Sequence, residues 1–243
     1  MNLLELFAGE MDVLGALPVR LMAVVGTGLL SYLLGAVPFS LLIGFFFGQD
    51  IRSCGSGNTG ATNLARVVNY GAGVCGLALD FLKGFAPAFW GGVLVQQIAG
   101  PFPAAELIWL HASYGFLAIV GHCFPVYLRF DGGKGVATSL GVFVAIMPVV
   151  TLAAFLFWGI VALTSGWVSL ASILAAVMIP VFYLTFAAVL TFCPSCGQLR
   201  FSYLTLSILA SVLVVARHHE NIRRLWKGEE RKFLDAAKDL EEA

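Results

Sequence analysis

Long uncharged apolar stretches alternate with short polar ones along this chain. Residues 21–47 carry no charged side chain, and residues 135–199 hold no Asp, Glu, Lys, Arg or His. An apolar run of about 18 residues or more is long enough for a helix to cross the bilayer hydrocarbon. The period-2 alternation of a membrane barrel is absent. The pattern predicts an all-α integral membrane protein. Its apolar segments fall at about 20–47, 71–98, 106–127, 135–148, 149–164, 168–191 and 201–217, which gives about seven transmembrane helices. The fourth and fifth, at about 14–16 residues, fall short of the ~20 needed to cross. They are either tilted or form a partial hairpin around Pro148, so five crossings stands as the alternative to seven.

Composition removes the soluble alternative. Only 12% of the 243 residues are charged, against about 25% in soluble globular domains, and mean hydropathy is +0.90. Formal net charge is zero, so bulk charge suggests no nucleic-acid partner. The placement of charge is more telling. Loop 48–70 carries Arg52 and Arg66, loop 128–134 carries Arg129 and Lys134, and the stretch from Arg217 to Ala243 holds seven of the fourteen Lys and Arg residues. Basic loops stay cytoplasmic, so these three regions share the cytoplasmic side, with Arg200 as the single outlier in the outer loops around Pro101 and over 192–200. Dropping a hairpin leaves that sidedness unchanged. We expect one polytopic membrane domain over residues 1–243. Residues 1–18 form a short extracytoplasmic N-terminal segment, and 218–243 a basic cytoplasmic tail. No basic region precedes a short apolar stretch, so no cleavable signal is expected.

The polar clusters all fall on the cytoplasmic side. The first reads Gly55-Ser56-Gly57-Asn58-Thr59-Gly60-Ala61-Thr62-Asn63, followed by Arg66. Glycines let backbone N–H groups approach an anion closely, and successive N–H groups form an anion-binding nest. Arg66 adds a bidentate fork for phosphate. A flexible turn between spans would explain Gly and Ser alone, but not Asn58, Thr62, Asn63 and Arg66 together. The second cluster is Asp80 and Lys83. Three residues apart, they share a helix face and can pair. Charges inside a span are costly and mark either function or a structural ion pair. The third joins Gly121-His122-Cys123-Phe124-Pro125 to Gly132-Gly133-Lys134-Gly135, then Thr138. It lacks nucleotide P-loop spacing, because Gly135 follows the lysine where Ser or Thr should stand. What remains is a glycine-flanked lysine at the mouth of a helix, a mobile point charge for phosphate. Ser169 and Ser172, three apart, share a helix face, although serine commonly packs between membrane helices. His218 and Asn221 do the same within a basic juxtamembrane stretch that could equally anchor on acidic lipid heads.

Cys193 and Cys196 form a lone CxxC on the opposite side, without the second pair that a structural zinc site uses. No metal and no cofactor are expected.

Taken in order, Ser56-Gly57-Asn58-Thr59-Gly60-Ala61-Thr62-Asn63, Gly121-His122-x-Phe124-Pro125, Gly132-Gly133-Lys134-Gly135-Val136-Ala137-Thr138 and His218-x-x-Asn221-Ile222 resemble the bacterial acyl-phosphate:glycerol-3-phosphate acyltransferases, the PlsY family. Asp80-x-x-Lys83-Gly84 and Val168-Ser169-Leu170-Ala171-Ser172 are similar to stretches of the same family. The resemblance implies a seven-helix enzyme of the bacterial inner membrane. Its N-terminus would lie outside, and its C-terminus and active site in the cytoplasm. It would move an acyl group from acyl phosphate to the 1-hydroxyl of glycerol 3-phosphate, giving lysophosphatidic acid, the first step of phospholipid synthesis. The bilayer and the enzyme that forms acyl phosphate are its implied partners.

The resemblance also implies roles. Ser56, Asn58, Lys134, His218 and Asn221 would be catalytic. Gly57, Gly60, Thr62, Asn63, Arg66, Gly132, Gly133, Gly135, Thr138, Ser169 and Ser172 would bind substrate, and Asp80, Lys83 and His122 would support them. Ser56, Gly57, Asn58 and one of Ser169 and Ser172 would cradle acyl phosphate. Arg66, Lys134, His218 and Asn221 would hold glycerol 3-phosphate. No Ser-His-Asp set is evident, so direct attack by the glycerol hydroxyl is expected, with a substrate phosphate oxygen or His218 taking the proton. A transporter of organic phosphates is the alternative from another class. It would need polar access from both faces, whereas these motifs crowd one.

Overall fold

The computed structural model describes residues 3–190 and 200–232, with side chains from Leu17 to Val189 and again from Arg200. Cys193 and Cys196 lie outside the described residues. The described chain is helical throughout: α1 Leu3–Ala36, α2 Phe39–Phe46, α3 Ala61–Val67, α4 Tyr70–Ala99, α5 Ala104–Cys123, α6 Val136–Ile146, α7 Pro148–Ser165, α8 Val168–Leu190, α9 Phe201–Arg217 and α10 His219–Lys227. A single 3-10 turn, Val126–Leu128, follows α5.

Each of the seven apolar segments read from the sequence is helical. Five are long and apolar enough to cross a membrane, and a sixth forms if α9 and α10, bent by 56° at His218, count as one broken span. The remaining one, α6, has 11 residues. At 1.5 Å per residue it extends about 16 Å, roughly half the hydrocarbon thickness. Its brevity has a visible cause. Pro148 opens α7 at its first turn, where its missing N–H is no loss, and Met147 before it leaves the helical conformation at φ −146° and ψ 63°. The outer surface is apolar, with Leu156, Ile160 and Leu163 among its exposed side chains.

Small residues set how the helices meet. A Cβ on Gly84 of α4 would drive into the carbonyl of Thr138 on α6, and one on Gly141 of α6 into that of Phe81 on α4. Gly35 and Gly121 play the same reciprocal part between α1 and α5. Lipid tails are as apolar as leucine, so membrane helices associate through such close backbone approach and through polar contacts. The core beside these contacts holds Ala88, Ile119, Val142, Phe143 and Ile179.

The charged pair sits at the break between α1 and α2. Pro38 interrupts the helix, and Val37 O accepts the Phe39 N–H at 3.1 Å in place of a helical donor four residues on. Lys83 Nζ donates to that carbonyl at 2.8 Å and pairs with Asp80 Oδ1 at 2.7 Å. Ser40 Oγ on α2 donates to Asp80 Oδ2 at 3.0 Å. Both charges are almost fully buried. The pair thus meets the rule that a broken membrane helix must find partners for its freed backbone groups.

The α4–α6 contact yields a prediction. Gly84→Val forces the two backbones apart and is expected to destabilise the protein by about 1–3 kcal/mol, read as a lower melting temperature in detergent. An unchanged melting temperature would mean that the helices are not in backbone contact.

Candidate active site

The helix ends and loops on one side of the molecule enclose a polar cavity of about 350 Å³. Its walls come from the loop before α3, the middle of α4, the end of α5, the loop before α6, the start of α8, the α9–α10 bend and the chain after α10.

The loop before α3 folds around one side chain. Asn63 Nδ2 donates to the carbonyls of Ile51 at 2.7 Å, Asn58 at 3.0 Å and Cys54 at 3.2 Å. Its Oδ1 accepts the Ser56 N–H at 2.8 Å. Gly55, at φ +62°, lies so close that a Cβ would strike Asn63 Oδ1. Asn63 therefore lines the cavity while acting as the staple of the loop. Asn58 Oδ1 accepts the Gly60 N–H at 2.9 Å. Ser56, Asn58, Gly60, Thr62 and Asn63 all line the cavity; Gly57 does not.

Arg66 enters from α3. Its Nε is buried without a partner, and burial together with nearby Arg231 lowers its pKa. Lys134 lines the opposite wall and makes no ion pair among the described residues. Burial, reinforced by Arg224, pushes its pKa down to about 8. Gly135, at φ +83°, turns the chain into α6 directly after it. Gly132, Gly133 and Thr138 lie behind the wall; Thr138 is fully buried against α4.

His218 sits at the α9–α10 bend. Its Nδ1 lies 2.7 Å from Val214 O. A carbonyl only accepts, so Nδ1 carries the proton and Nε2 is the free acceptor of the neutral ring. Burial lowers the pKa of His218 to about 4, so the ring is neutral at pH 7. One turn on, Asn221 Nδ2 donates to Glu230 Oε1 at 2.6 Å, which leaves Asn221 Oδ1 buried without a partner. The cavity therefore offers cations on two walls and two orphan acceptors between them.

Glu230 was not legible as a site residue, because the sequence shows it only as an acid in a basic tail. Its carboxylate accepts from Ser169 Oγ at 2.6 Å, Asn221 Nδ2 at 2.6 Å and Arg224 Nε at 2.8 Å. Its carbonyl accepts from Trp167 Nε1 at 3.1 Å. Burial would raise its pKa, but the three donors outweigh burial and hold it below the usual carboxylate range. Gly228, left-handed at φ +71°, ends α10 and turns the chain back over the cavity. The sole sequence cue was that glycine followed by two acids.

Asp80 and His122 line the cavity floor, and Lys83 lies behind them. The His122–Asp80 distance is 3.7 Å, too long for a direct hydrogen bond. Ser40 donates to Asp80 rather than to a histidine, so the set lacks the nucleophile–base bond of a Ser-His-Asp triad.

A second, almost wholly apolar cavity of about 160 Å³ opens between α6, α7, α8 and α9, lined by Phe143, Ala154, Phe155, Ala175 and Ile179 among others. Leu77, Val136, Ala137, Trp158 and Ser172 line both cavities. Ser172 stands in that shared wall. Its Oγ donates to Val168 O at 2.8 Å and accepts from Trp158 Nε1 at 3.1 Å. The two spaces thus lie side by side with a common wall, one charged and one apolar.

Known proteins resemble the chain in sequence and in fold. Residues 25–228 match the sequence family described as glycerol-3-phosphate acyltransferase. A glycerol-3-phosphate acyltransferase of Rubrobacter xylanophilus is 41% identical over 205 residues, covering 84% of this chain and 92% of the relative. One from Staphylococcus aureus strain Newman is 40% identical over 209 residues, covering 84% and 95%. The crystal structure of PlsY (YgiH), an integral membrane glycerol 3-phosphate acyltransferase, in its glycerol 3-phosphate form superposes with a TM-score of 0.71. It is 36% identical, over 86% of this chain and 94% of that one. Its lysophosphatidic acid form gives the same score at 35% identity.

Glu230→Gln tests the tail contact. Loss of the charge weakens three donors at once and is expected to cost about 1–3 kcal/mol, seen as a lower melting temperature. Glu229→Gln, which changes the neighbouring acid, should leave it in place.

Proposed function

The chain belongs to the glycerol-3-phosphate acyltransferase family, and from that premise we propose that it transfers a fatty acyl group from acyl phosphate to the 1-hydroxyl of glycerol 3-phosphate. The products are lysophosphatidic acid and inorganic phosphate. The observation that carries this reading is the adjacency of the two cavities: the polar one, which holds Arg66 and Lys134, shares five wall residues with an apolar slot. A donor with a phosphate head and a fatty tail matches both.

In this reading the acyl chain lies between α6, α7 and α8, and its phosphate meets Ser56 and Asn58 of the loop before α3, which line the polar cavity. Glycerol 3-phosphate takes Arg66 and Lys134 for its phosphate. Its hydroxyls face the two free acceptors, His218 Nε2 and Asn221 Oδ1. The 1-hydroxyl oxygen attacks the acyl carbonyl carbon, the acyl–phosphate C–O bond breaks, and the hydroxyl proton ends on the departing phosphate as hydrogen phosphate. A histidine whose conjugate acid has a pKa of about 4 is a weak base, so His218 acts by orienting the hydroxyl while a substrate phosphate oxygen takes the proton. Acyl phosphate is already activated, and positioning plus charge stabilisation can supply most of the rate. Sidedness follows from the basic loops: the C-terminus and the active site face the cytoplasm, and the membrane is the bacterial inner one.

The test is acyl transfer by the purified protein, using palmitoyl phosphate and labelled glycerol 3-phosphate, with palmitoyl-CoA as the competing donor. Labelled lysophosphatidic acid from palmitoyl phosphate alone is expected, and Lys134→Ala should lower its rate of formation about a hundredfold, to a level still measurable. Product from the CoA ester but not from the phosphate would overturn the donor assignment.

The depressed pKa of Lys134 sets a pH limit. The ammonium is charged below about 8 and loses its attraction for phosphate as pH rises through that value. Hence kcat/KM for glycerol 3-phosphate should fall above about pH 8, approaching tenfold per unit. Lys134→Arg, which stays charged, should lose this alkaline limb in the same profile, whatever its absolute rate. In the apolar slot, Ala175→Phe should favour shorter acyl phosphates over palmitoyl phosphate, measured as a ratio of kcat/KM values.

A further inference from the structure

Lys134 stands on a loop that has little of its own to hold it. Gly132 and Gly133 precede it and Gly135 follows, so its neighbours in sequence bring no side chains to pack. Three hydrogen bonds fix the glycine backbone instead. The Gly133 N–H donates to His122 O at 3.1 Å. Arg217 makes the other two. Its Nη2 donates to Gly132 O at 2.6 Å, and its Nε to Gly133 O at 3.1 Å. The guanidinium also lies over the Phe124 ring, 5.4 Å from its centroid. A third contact, Nη2 to Asp131 Oδ1 at 3.5 Å, reaches a carboxylate that is 92% exposed and adds little.

Arg217 does not line the polar cavity. It is the last residue of α9, and His218 follows it at once. One side chain therefore ties the lysine loop to the backbone that carries His218. Lysine could not replace it. Two carbonyls met by two nitrogens of one rigid plane require a guanidinium fork, and an ammonium is a single point.

We infer that Arg217 is a positioning residue for the transfer: its fork holds the Gly132 and Gly133 carbonyls and thereby sets Lys134 against His218. This rests on the proposed acyl transfer, with glycerol 3-phosphate as the ligand of Lys134. Loss of the fork lets the loop carry the ammonium away from the phosphate. Binding of glycerol 3-phosphate weakens, while binding of the acyl donor, seated on the loop before α3, does not.

The experiment compares wild type, Arg217→Lys, Arg217→Gln, Lys134→Ala and the double variant Arg217→Lys/Lys134→Ala, in detergent, with palmitoyl phosphate and glycerol 3-phosphate. Wild type must first yield lysophosphatidic acid; if it does not, the functional reading fails before Arg217 is tested. Both Arg217 variants are expected to raise KM for glycerol 3-phosphate about tenfold and to leave KM for palmitoyl phosphate within about twofold. The double variant is expected to show the same kcat/KM as Lys134→Ala alone, since residues that act through one another are non-additive. Rescue by Arg217→Lys would make the charge sufficient and overturn the inference. So would equal rises in both KM values, additive losses in the double variant, or a fall in melting temperature that accounts for the lost activity.

Discussion

A single buried ion pair holds the working end of this molecule in place. Asp80 and Lys83 sit inside α4, yet their contacts reach beyond it: to the Val37 carbonyl and to Ser40 on α2. His122, facing the same carboxylate, lends its own carbonyl to the glycine loop. A buried pair of charges is weak evidence of stability, because desolvation offsets much of the attraction. Its worth here is directional. Removing either partner would leave the other charge buried and unpaired at the point where α1, α2 and α4 meet. The loops that line the polar cavity start from that fixed frame.

Glu230 closes the frame from the other side. It draws Ser169 of α8, Asn221 and Arg224 of α10 and the Trp167 indole to one carboxyl group. An acid among groups suited to binding phosphate looks misplaced until its partners are counted. By taking the Asn221 amide N–H, it turns the other amide atom, the acceptor, free for a hydroxyl. The acidic residue thus decides which chemistry its neighbours present.

The sequence revealed the spans because charge is excluded from them so completely; it marked both segments around Pro148 as short, and only α6 is, since α7 at 18 residues is long enough to cross. It revealed the polar clusters because each is contiguous: the Ser56–Asn63 stretch, the glycines around Lys134, the His218–Asn221 pair. Asn63 was legible as a polar site residue, but its role as a staple depends on carbonyls at Ile51 and Cys54 that no spacing rule singles out. Arg217 and Glu230 stayed hidden for the same reason. Their partners lie 84 and 61 residues away, and locally each is one more charge in a basic tail. Contacts of that range belong to the packing of α9 and α10 against the α6 loop and α8, which hydrophobic periodicity does not encode.

The wall at Ser172 that the polar and apolar cavities share bears on how substrates come and go. In the proposed reaction the donor and the product share the same tail and differ only in the head. A chain that left for water between the two would expose apolar surface at about 0.8 kcal/mol per methylene. A slot that opens among lipid-facing helices spares it that journey. The tail can stay in place while one phosphate head departs and another is joined to it, so the enzyme works as a head-exchanger on a chain that never leaves oil.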